Sequence, residues 1–373
     1  MKLKAMPSSI GWDIGGANIK ASLVKLENGD FHIRSVKEYF PIWRRGKENL
    51  QVKIREIHSR IAGGIDVDSI GLTMTAELSD VYFTKREGVE HIIKCMESIY
   101  NSEKIKIVSN DLDVVSIDEA RKKPNRVAAS NWAATGWLLS KIIDTCIGVD
   151  IGSTTCSIIP VVNWICRAEG RNDLEKLANG ELIYTGVLRT NVAAIVDKVP
   201  VRGRYVRVSS ELFALTGDVH LVLNNIGEEE YTTETADGRG KTRIECLARL
   251  ARIVCADIDM LSENDIVEIA KYIYNKQIDQ VADGIYQVYT RIVDECIEEP
   301  LILAMGLGEK ILVKKAAERL GLNRIVCLSD VLGRETSITT PSAASALMAL
   351  NTVKPVTPII DSIKYRLSRV LRS

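Results

Sequence analysis

Apolar positions along this chain switch repeatedly between the two-residue period of strands and the 3.6-residue period of helices. Residues 9–15, "SIGWDIG", read as a buried strand ending in a glycine turn. "KASLVKLENGDFHIRSVKEYF" continues as two strands joined by "ENGD", a hairpin signal. "KENLQVKIREIHSRIAG" has apolar residues at helical spacing, "DSIGLTMTAEL" is a buried strand running into a loop, and "GVEHIIKCMESIYN" is a helix. "KIKIVSND" is a strand and "NWAATGWLLSKIID" a helix of small residues. This order predicts an α/β domain.

The pattern then restarts at "TCIGVDIGSTTCSIIPVV". Residues 168–260 are less regular, followed by helical stretches over 240–258 and 263–297. "LILAMGLGEKIL" is a strand, a glycine turn and a helix start, and "NRIVCLSD" is one more strand. "TPSAASALMALNTV" is a small-residue helix with Pro341 near its first turn. The basic, amphipathic tail "SIKYRLSRVLRS" reads as a terminal helix capping the fold.

One phrase thus occurs twice. Aligning Asp13 with Asp150 pairs Gly11 with Gly148 and Gly15 with Gly152. Such a repeat predicts two halves of like architecture facing one cleft. Each strand delivers an aspartate to its carboxyl end, and the glycines let backbone amides turn toward an anion. Ser153, Thr154 and Thr155 add hydroxyl donors. Two such loops can hold a polyphosphate, with Asp13 and Asp150 positioning Mg²⁺ directly or through its waters. For Asp13 and Asp150 the plainer alternative is that they satisfy loop amides.

Charge narrows the partners. Lys plus Arg equals Asp plus Glu at 49 each, so nothing favours nucleic acid or an anionic membrane. No apolar run approaches the ~20 residues of a membrane helix, and "MKLKAMPSSIGW" lacks the apolar stretch of a secretory signal. The eight cysteines are scattered without Cys-x-x-Cys or zinc-like spacing, and they read as small hydrophobes of a reducing cytosol. The four histidines fall in no catalytic pattern.

"DIGGANIK", "DIGSTT" and "AMGLGE", in this order, resemble the actin-like superfamily of sugar kinases, chaperone ATPases and actin. The resemblance implies a two-domain actin-like ATPase (RNase H-like) fold with a ligand cleft between domains. Residues 1–145 form one α/β domain, to which 340–373 return. Residues 146–339 form the second, with an irregular insertion near 168–240. "NWAATGWLLSKI" and "TPSAASALMALN" fall where that superfamily places its connecting helices.

A closer resemblance rests on "DIGGANIK", "TMTAELSD", "KREGVEHI", "SNWAAT", "DIGSTT", "GELIYTGVLRT", "DGRGK" and "GLGEKIL". Together, over about residues 9–350, they are similar to an archaeal family. It is the tetrahydromethanopterin-linked C1-pathway group of hydantoinase/oxoprolinase-like proteins, with methanofuran synthase as its characterised activity. The resemblance implies condensation of an (aminomethyl)furan-methanol diphosphate with γ-glutamyltyramine, the phenol displacing diphosphate to form an aryl furfuryl ether. The sequence departs from the family in two places. Cys156-Ser157 replaces the usual Thr-Asp, losing an acid, and Asn191 stands where Pro usually ends the Arg-Thr segment.

The candidate site then comprises three groups. Asp13, Asp150, Lys20, Glu77 and Asp80 are the catalytic candidates. Gly15, Gly16, Asn18, Gly152, Ser153, Thr154 and Thr155 are the diphosphate cradle. Asn131, Arg189, Arg239, Gly306, Gly308 and Glu309 are candidate substrate contacts. Each has a plainer alternative. Lys20 is a diphosphate contact or a solvated edge lysine. Glu77 and Asp80 are a general base or amine partner, or carboxylates at a helix start. Arg189 and Arg239 bind a substrate carboxylate or lie on the surface. Asn131 contacts ligand or caps its helix. Gly306 and Gly308 allow close ligand approach or make an ordinary turn. Trp132 and Trp137 read as core. The cofactor expected is Mg²⁺, the partners small molecules, and the compartment cytoplasmic; a homo-oligomer stays open. Two other functions compete: an ATP-dependent small-molecule kinase or amidohydrolase of the same superfamily, and a non-catalytic nucleotide-responsive assembly protein. The latter is disfavoured as a chaperone because no β-rich peptide-binding module follows the core.

Overall fold

A computed structural model describes residues 7–27 and 30–372. Residues 1–6, on which the reading of the N-terminal segment depends, and Asn28 and Gly29 of the "ENGD" signal lie outside the described residues. The predicted hairpin is present in its strands, because residues 18–27 pair antiparallel with 30–39.

Two six-stranded sheets carry the fold. The first is built from β1 (Ser8–Ile14), β2 (Asn18–Glu27), β3 (Asp30–Tyr39), β4 (Ser69–Met74), β5 (Ile105–Val108) and β6 (Val114–Val115), ordered β3-β2-β1-β4-β5-β6. β1 runs antiparallel to β2 and parallel to β4, which is parallel to β5. In the second sheet β7 (Cys146–Ile151) runs antiparallel to β8 (Cys156–Val162). The short β9 (Ile165–Cys166) and β10 (Leu182–Ile183) flank β8. A separate ribbon, β11 (Lys198–Val201) with β12 (Arg204–Arg207), stands apart. β13 (Leu301–Gly306) then lies parallel to both β7 and β14 (Ile325–Cys327). The core order β2-β1-β4-β5 is repeated as β8-β7-β13-β14. The chain therefore builds one ribonuclease H-like sheet twice, two halves of like architecture as the repeated phrase predicts, in the two-domain actin-like fold that the resemblance implies. Asp13 and Asp150 end corresponding central strands.

Two helices of small residues run between the sheets. Helix Thr340–Asn351 lies on β1, β2 and β4 and packs against helix Asn131–Ile142. Glycine makes this approach possible. Gly11 and Gly71 sit side by side on β1 and β4. A Cβ on Gly11 would lie 1.9 Å from Ser342 O, and one on Gly71 2.1 Å from Ser345 O. In the repeat, Gly148 does the same for the other helix, where a Cβ would meet Leu139 Cδ1 at 2.2 Å. At Gly11 the obstruction is helix backbone, which cannot rotate away. Gly11→Ala is therefore expected to destabilise the protein by about 3 kcal/mol, the upper part of the range for overpacking. A melting curve checks this, and an unchanged midpoint would show that the helix can retreat.

Between β12 and β13 the irregular region resolves into short helices and one long one. Helix Arg243–Arg252 opens on a Thr242–Glu245 capping box, and helix Glu263–Ile292 on a Ser262–Asp265 box. Both are shorter than the periodicity suggests. The first stops before Cys255, which adopts φ +58°; the second passes into a 3₁₀ turn, Val293–Glu295. The tail helix, Thr357–Arg372, buries Ile359, Ile360, Ile363 and Leu367 against the fold, consistent with its amphipathic pattern. Among the described residues no helix is long and apolar enough to cross a membrane.

Candidate active site

The repeated phrase makes the same turn twice. Gly15 N donates to Asn18 O at 3.0 Å, and Gly152 N donates to Thr155 O at 3.0 Å. The two turns face one another, and Asn18 Nδ2 donates to Ser153 Oγ at 3.0 Å across the interface. The second turn is braced from outside. Val187 N donates to Gly152 O at 3.0 Å, and Leu188 N and Arg189 N to Ser153 O at 3.1 and 2.9 Å. A Cβ on Gly186 would lie 2.4 Å from Thr154 N, so only glycine lets this brace come so close. The brace also delivers Arg189. Its Nη1 donates to Thr154 Oγ1 at 2.9 Å, and its guanidinium lies 4.5 Å from the centre of the Trp43 ring of the first half. Burial holds the Arg189 pKa below the usual guanidinium value.

Between the halves lies a cavity of about 480 Å³. Its lining includes Asp13, Gly15, Gly16, Asn18 and Lys20 from the first turn and strand, and Gly152, Ser153, Thr154 and Thr155 from the second. Asp80, Asn131 and Arg189 also line it. Apolar and aromatic side chains complete the lining, Trp43, Trp132, Leu177, Leu182 and Tyr184 among them. Asp13 is buried, and its β-bridge partner on β2 is Lys20, whose Nζ stands 3.4 Å from Asp13 Oδ2. Thr73 Oγ1 donates to Asp13 Oδ1 at 3.4 Å. Asn131 turns its Oδ1 back to accept from Trp132 N at 2.8 Å, while Ser130 holds the N-cap position.

Other candidates lie outside this lining. Asp150, half-buried, lies against the glycine turn: a Cβ on Gly306 would be 2.4 Å from Asp150 Oδ1, and Gly306 has φ +84°. Glycine is required there on both counts. Burial pushes the Asp150 carboxyl up to about 6, Lys20 draws it down, and Asp13 and Glu309 push it up. Gly308 N donates to Ile151 O at 3.0 Å. Glu309 is buried, with Oε2 accepting from Ser337 Oγ at 2.7 Å and Ser329 N at 3.3 Å. This triplet holds the turn together. Arg239 is exposed away from the cavity. Its motif, "DGRGK", is fastened instead through Asp237 and Gly240, both bonded to the buried Arg249.

Glu77 is also outside the cavity and buried. Its Oε1 accepts from Ala129 N at 2.9 Å, and its Oε2 has no hydrogen-bond partner among the described residues. Burial pushes its carboxyl from 4.5 up to about 7. A raised carboxyl pKa means that the folded state binds more protons between those values. Its contribution to stability is present in full below pH 4.5 and is lost as pH rises through about 7. Glu77→Gln is expected to flatten the stability profile over that window in urea melts. Equal slopes in both proteins would place the titration elsewhere.

Sequence reading missed several lining groups. Lys37, opposite Lys20 on β3, lines the cavity, and only hairpin register could reveal it. Lys176 is buried, with Nζ 3.0 Å from Glu181 Oε2 and 3.8 Å from the centre of the Trp132 ring. Trp132 is thus both core and cavity wall. Lys85 of the first half reaches Asp173 of the second at 3.2 Å. Ser157 lines the cavity opposite Asp150 on β8, whereas Cys156 beside it is wholly buried. Asn191 Oδ1 accepts from Ala193 N at 3.1 Å, starting a 3₁₀ turn.

The hydantoinase/oxoprolinase family profile matches residues 68–347. A protein of Methanocaldococcus jannaschii named (4-{4-[2-(gamma-L-glutamylamino)ethyl]phenoxymethyl}furan-2-yl)methanamine synthase is 37% identical over 338 residues, 90% of this chain and 96% of that one. The chain belongs to this synthase branch of the hydantoinase/oxoprolinase family. A protein of the same name from Methanococcus vannielii is 35% identical over 216 residues, 57% of this chain and 95% of that one. Among solved structures, nucleotide-free acetone carboxylase aligns with TM-score 0.52 at 9% identity, over 93% of this chain and 70% of its own. That likeness concerns the fold.

Proposed function

We propose that this protein is the ether-forming synthase of its branch. It joins an (aminomethyl)furan-methanol diphosphate to γ-glutamyltyramine in methanofuran biosynthesis. The 37% identity over nearly the whole length of a relative bearing that product's name supports this reading. The observation that carries it to the chemistry is the pair of matching turns facing each other across one cavity, joined by Asn18 and Ser153. They suit a diphosphate, and the aromatic side chains of the lining suit a phenol and a furan.

In the reaction the furfuryl carbon–oxygen bond to diphosphate breaks, and that oxygen keeps the electron pair. The phenol oxygen forms the new bond to the same carbon and gives up its proton. The furan oxygen stabilises positive charge on the exocyclic carbon, so departure can run ahead of attack. The turns at Gly15–Asn18 and Gly152–Thr155, with Lys20, hold the diphosphate as charge builds on it. Asp80 is the carboxylate of its loop placed in the cavity lining to accept the phenol proton; Glu77 supports the loop from beneath. Arg189, fixed over Trp43, is placed to pair with the glutamyl carboxylate.

The residues present fit Mg²⁺ as well. Asp13 and Asp150 act on one another as like charges, with Lys20 the countercharge that reaches both. Among the described residues no three His, Cys, Asp or Glu side chains cluster. A pair of carboxylates is a donor set of the kind that holds Mg²⁺, an ion commonly bound through one or two carboxylates. When bound, the ion would neutralise charge on the departing diphosphate. In this reading residues 1–145 with 340–373 form one jaw and 146–339 the other.

Incubating the pure protein with both precursors and Mg²⁺ is expected to yield the ether and pyrophosphate, detected by mass. Hydrolysis of ATP without ether formation would instead assign the cleft to an ATP-dependent enzyme.

A further inference from the structure

Hairpin register places two lysines next to one another in the cleft, and only one has a countercharge. Lys20 on β2 lies between Asp13 on β1 and Lys37 on β3. Its ammonium is 3.4 Å from the Asp13 carboxylate. Lys37 lines the same cavity, and among the described residues no side chain or carbonyl pairs with its ammonium. Ser22 and Ser35, one step down the same face, bond to each other at 2.9 Å and are closed off by Thr339 of the helix pair above. The polar row along this face is therefore satisfied everywhere except at its cavity end.

Two adjacent cations beside a phosphate-type turn are unfavourable until an anion arrives. Resting on the diphosphate reading above, we propose that Lys37 is a second cationic contact for the diphosphate, left without a countercharge in the free protein and matched when the anion binds. Lys20 and Lys37 would then divide the work. Lys20 is already engaged by Asp13 and ties the anion to the aspartate pair, whereas Lys37 offers its whole charge to the ligand. Burial, and next the charge of Lys20, push the free Lys37 ammonium down to about 8. Of the other charged groups near β3, Arg334 of the helix Arg334–Ile338 is engaged by Glu230, and Glu335 is exposed. Neither opposes Lys37 electrostatically as Lys20 does.

The test is calorimetric titration of the full chain with inorganic pyrophosphate and Mg²⁺ at pH 8, in two buffers of different ionisation enthalpy. Lys37→Met is expected to weaken pyrophosphate binding about tenfold, the scale of one lost charge-assisted hydrogen bond, with a melting point no lower than that of the wild type. Lys37→Arg is expected to restore most of that affinity. A group that is half protonated when free takes up about half a proton when an anion locks its charge. The wild type should therefore take up about that much more than Lys37→Arg, a readout that a merely structural lysine would not move. If the wild type binds no pyrophosphate, the diphosphate reading itself fails. If the wild type binds and a folded Lys37→Met protein binds within twofold of it, this inference alone is overturned.

Discussion

Asp13→Asn and Asp150→Asn are each expected to slow turnover about a hundredfold, while binding of the phenol substrate changes little. Charge on the leaving diphosphate is greatest in the transition state, so a group that supports it matters more there than in the ground state. Loss of one preorganised electrostatic partner commonly costs about 3 kcal/mol of barrier. At Asp13 the substitution also removes the countercharge of Lys20, 3.4 Å away, while an amide oxygen can keep the Thr73 contact. At Asp150 it leaves a side chain of the same shape against Gly306, so packing is preserved. In the proposed arrangement the γ-glutamyltyramine is held by other groups of the cleft, Arg189 among them, so its binding does not depend on either aspartate. Steady-state rates at saturating substrate, set beside melting curves, separate the outcomes. Near-normal turnover in a well-folded Asp150→Asn protein would remove the role proposed for that residue. Lower melting points with intact turnover per folded molecule would reduce both aspartates to loop shaping.

Arg249→Met is expected to remove about 3–5 kcal/mol of stability, the largest single loss foreseen outside the cleft. Arg249 is fully buried in the helix Arg243–Arg252. Its Nε donates to Asp218 Oδ1 at 2.8 Å, and its Nη1 to Asp237 Oδ1 at 3.0 Å and Gly240 O at 3.1 Å. Asp218, also fully buried, accepts from Leu215 N at 2.9 Å and Tyr231 OH at 3.3 Å. Truncating the arginine strands a buried carboxylate and frees the "DGRGK" segment. A second change, Asp218→Leu, removes that stranded charge, so the double variant should be less destabilised than Arg249→Met alone. Thermal melts of the wild type, the two single variants and the double variant decide it. A double variant that loses the sum of both single effects would show that the network is not acting as a charge pair.

The halves of the fold were legible because a strand-turn-strand phrase is local. "DIGGAN" and "DIGSTT" contain their own turn chemistry, and both form the same 3.0 Å closure. Gly11 and Gly148 were visible as a matched pair, although their reason, helix clearance, was not. The ribbon β11–β12 went unread because its turn, Arg202 at φ +48° and Gly203 at φ +79°, lacks the Asn or Asp that usually advertises positive φ. Helix ends over 240–258 and 263–297 were misplaced because periodicity continues beyond the last hydrogen-bonded turn.

Within the cleft, residue type and local spacing determined the two turns, their hydroxyls and the strand-end aspartates. These depend on a few consecutive residues and survive without knowledge of what they face. Tertiary structure alone decided which chemically similar residues enter the cavity. Asp80 does and Glu77 does not, three positions apart, because the 3₁₀ turn Ala76–Leu78 rotates one carboxylate beneath Ala129 and leaves the other in the lining. Arg189 enters and Arg239 does not, because the first follows a glycine brace clamped to the second turn and the second lies on a loop anchored by Arg249. Lys37 joins Lys20 only through cross-strand register, a relation between residues seventeen positions apart that composition does not encode. Burial, which sets the protonation of Glu77 and Asp150, is likewise a sum over neighbours brought from every part of the chain.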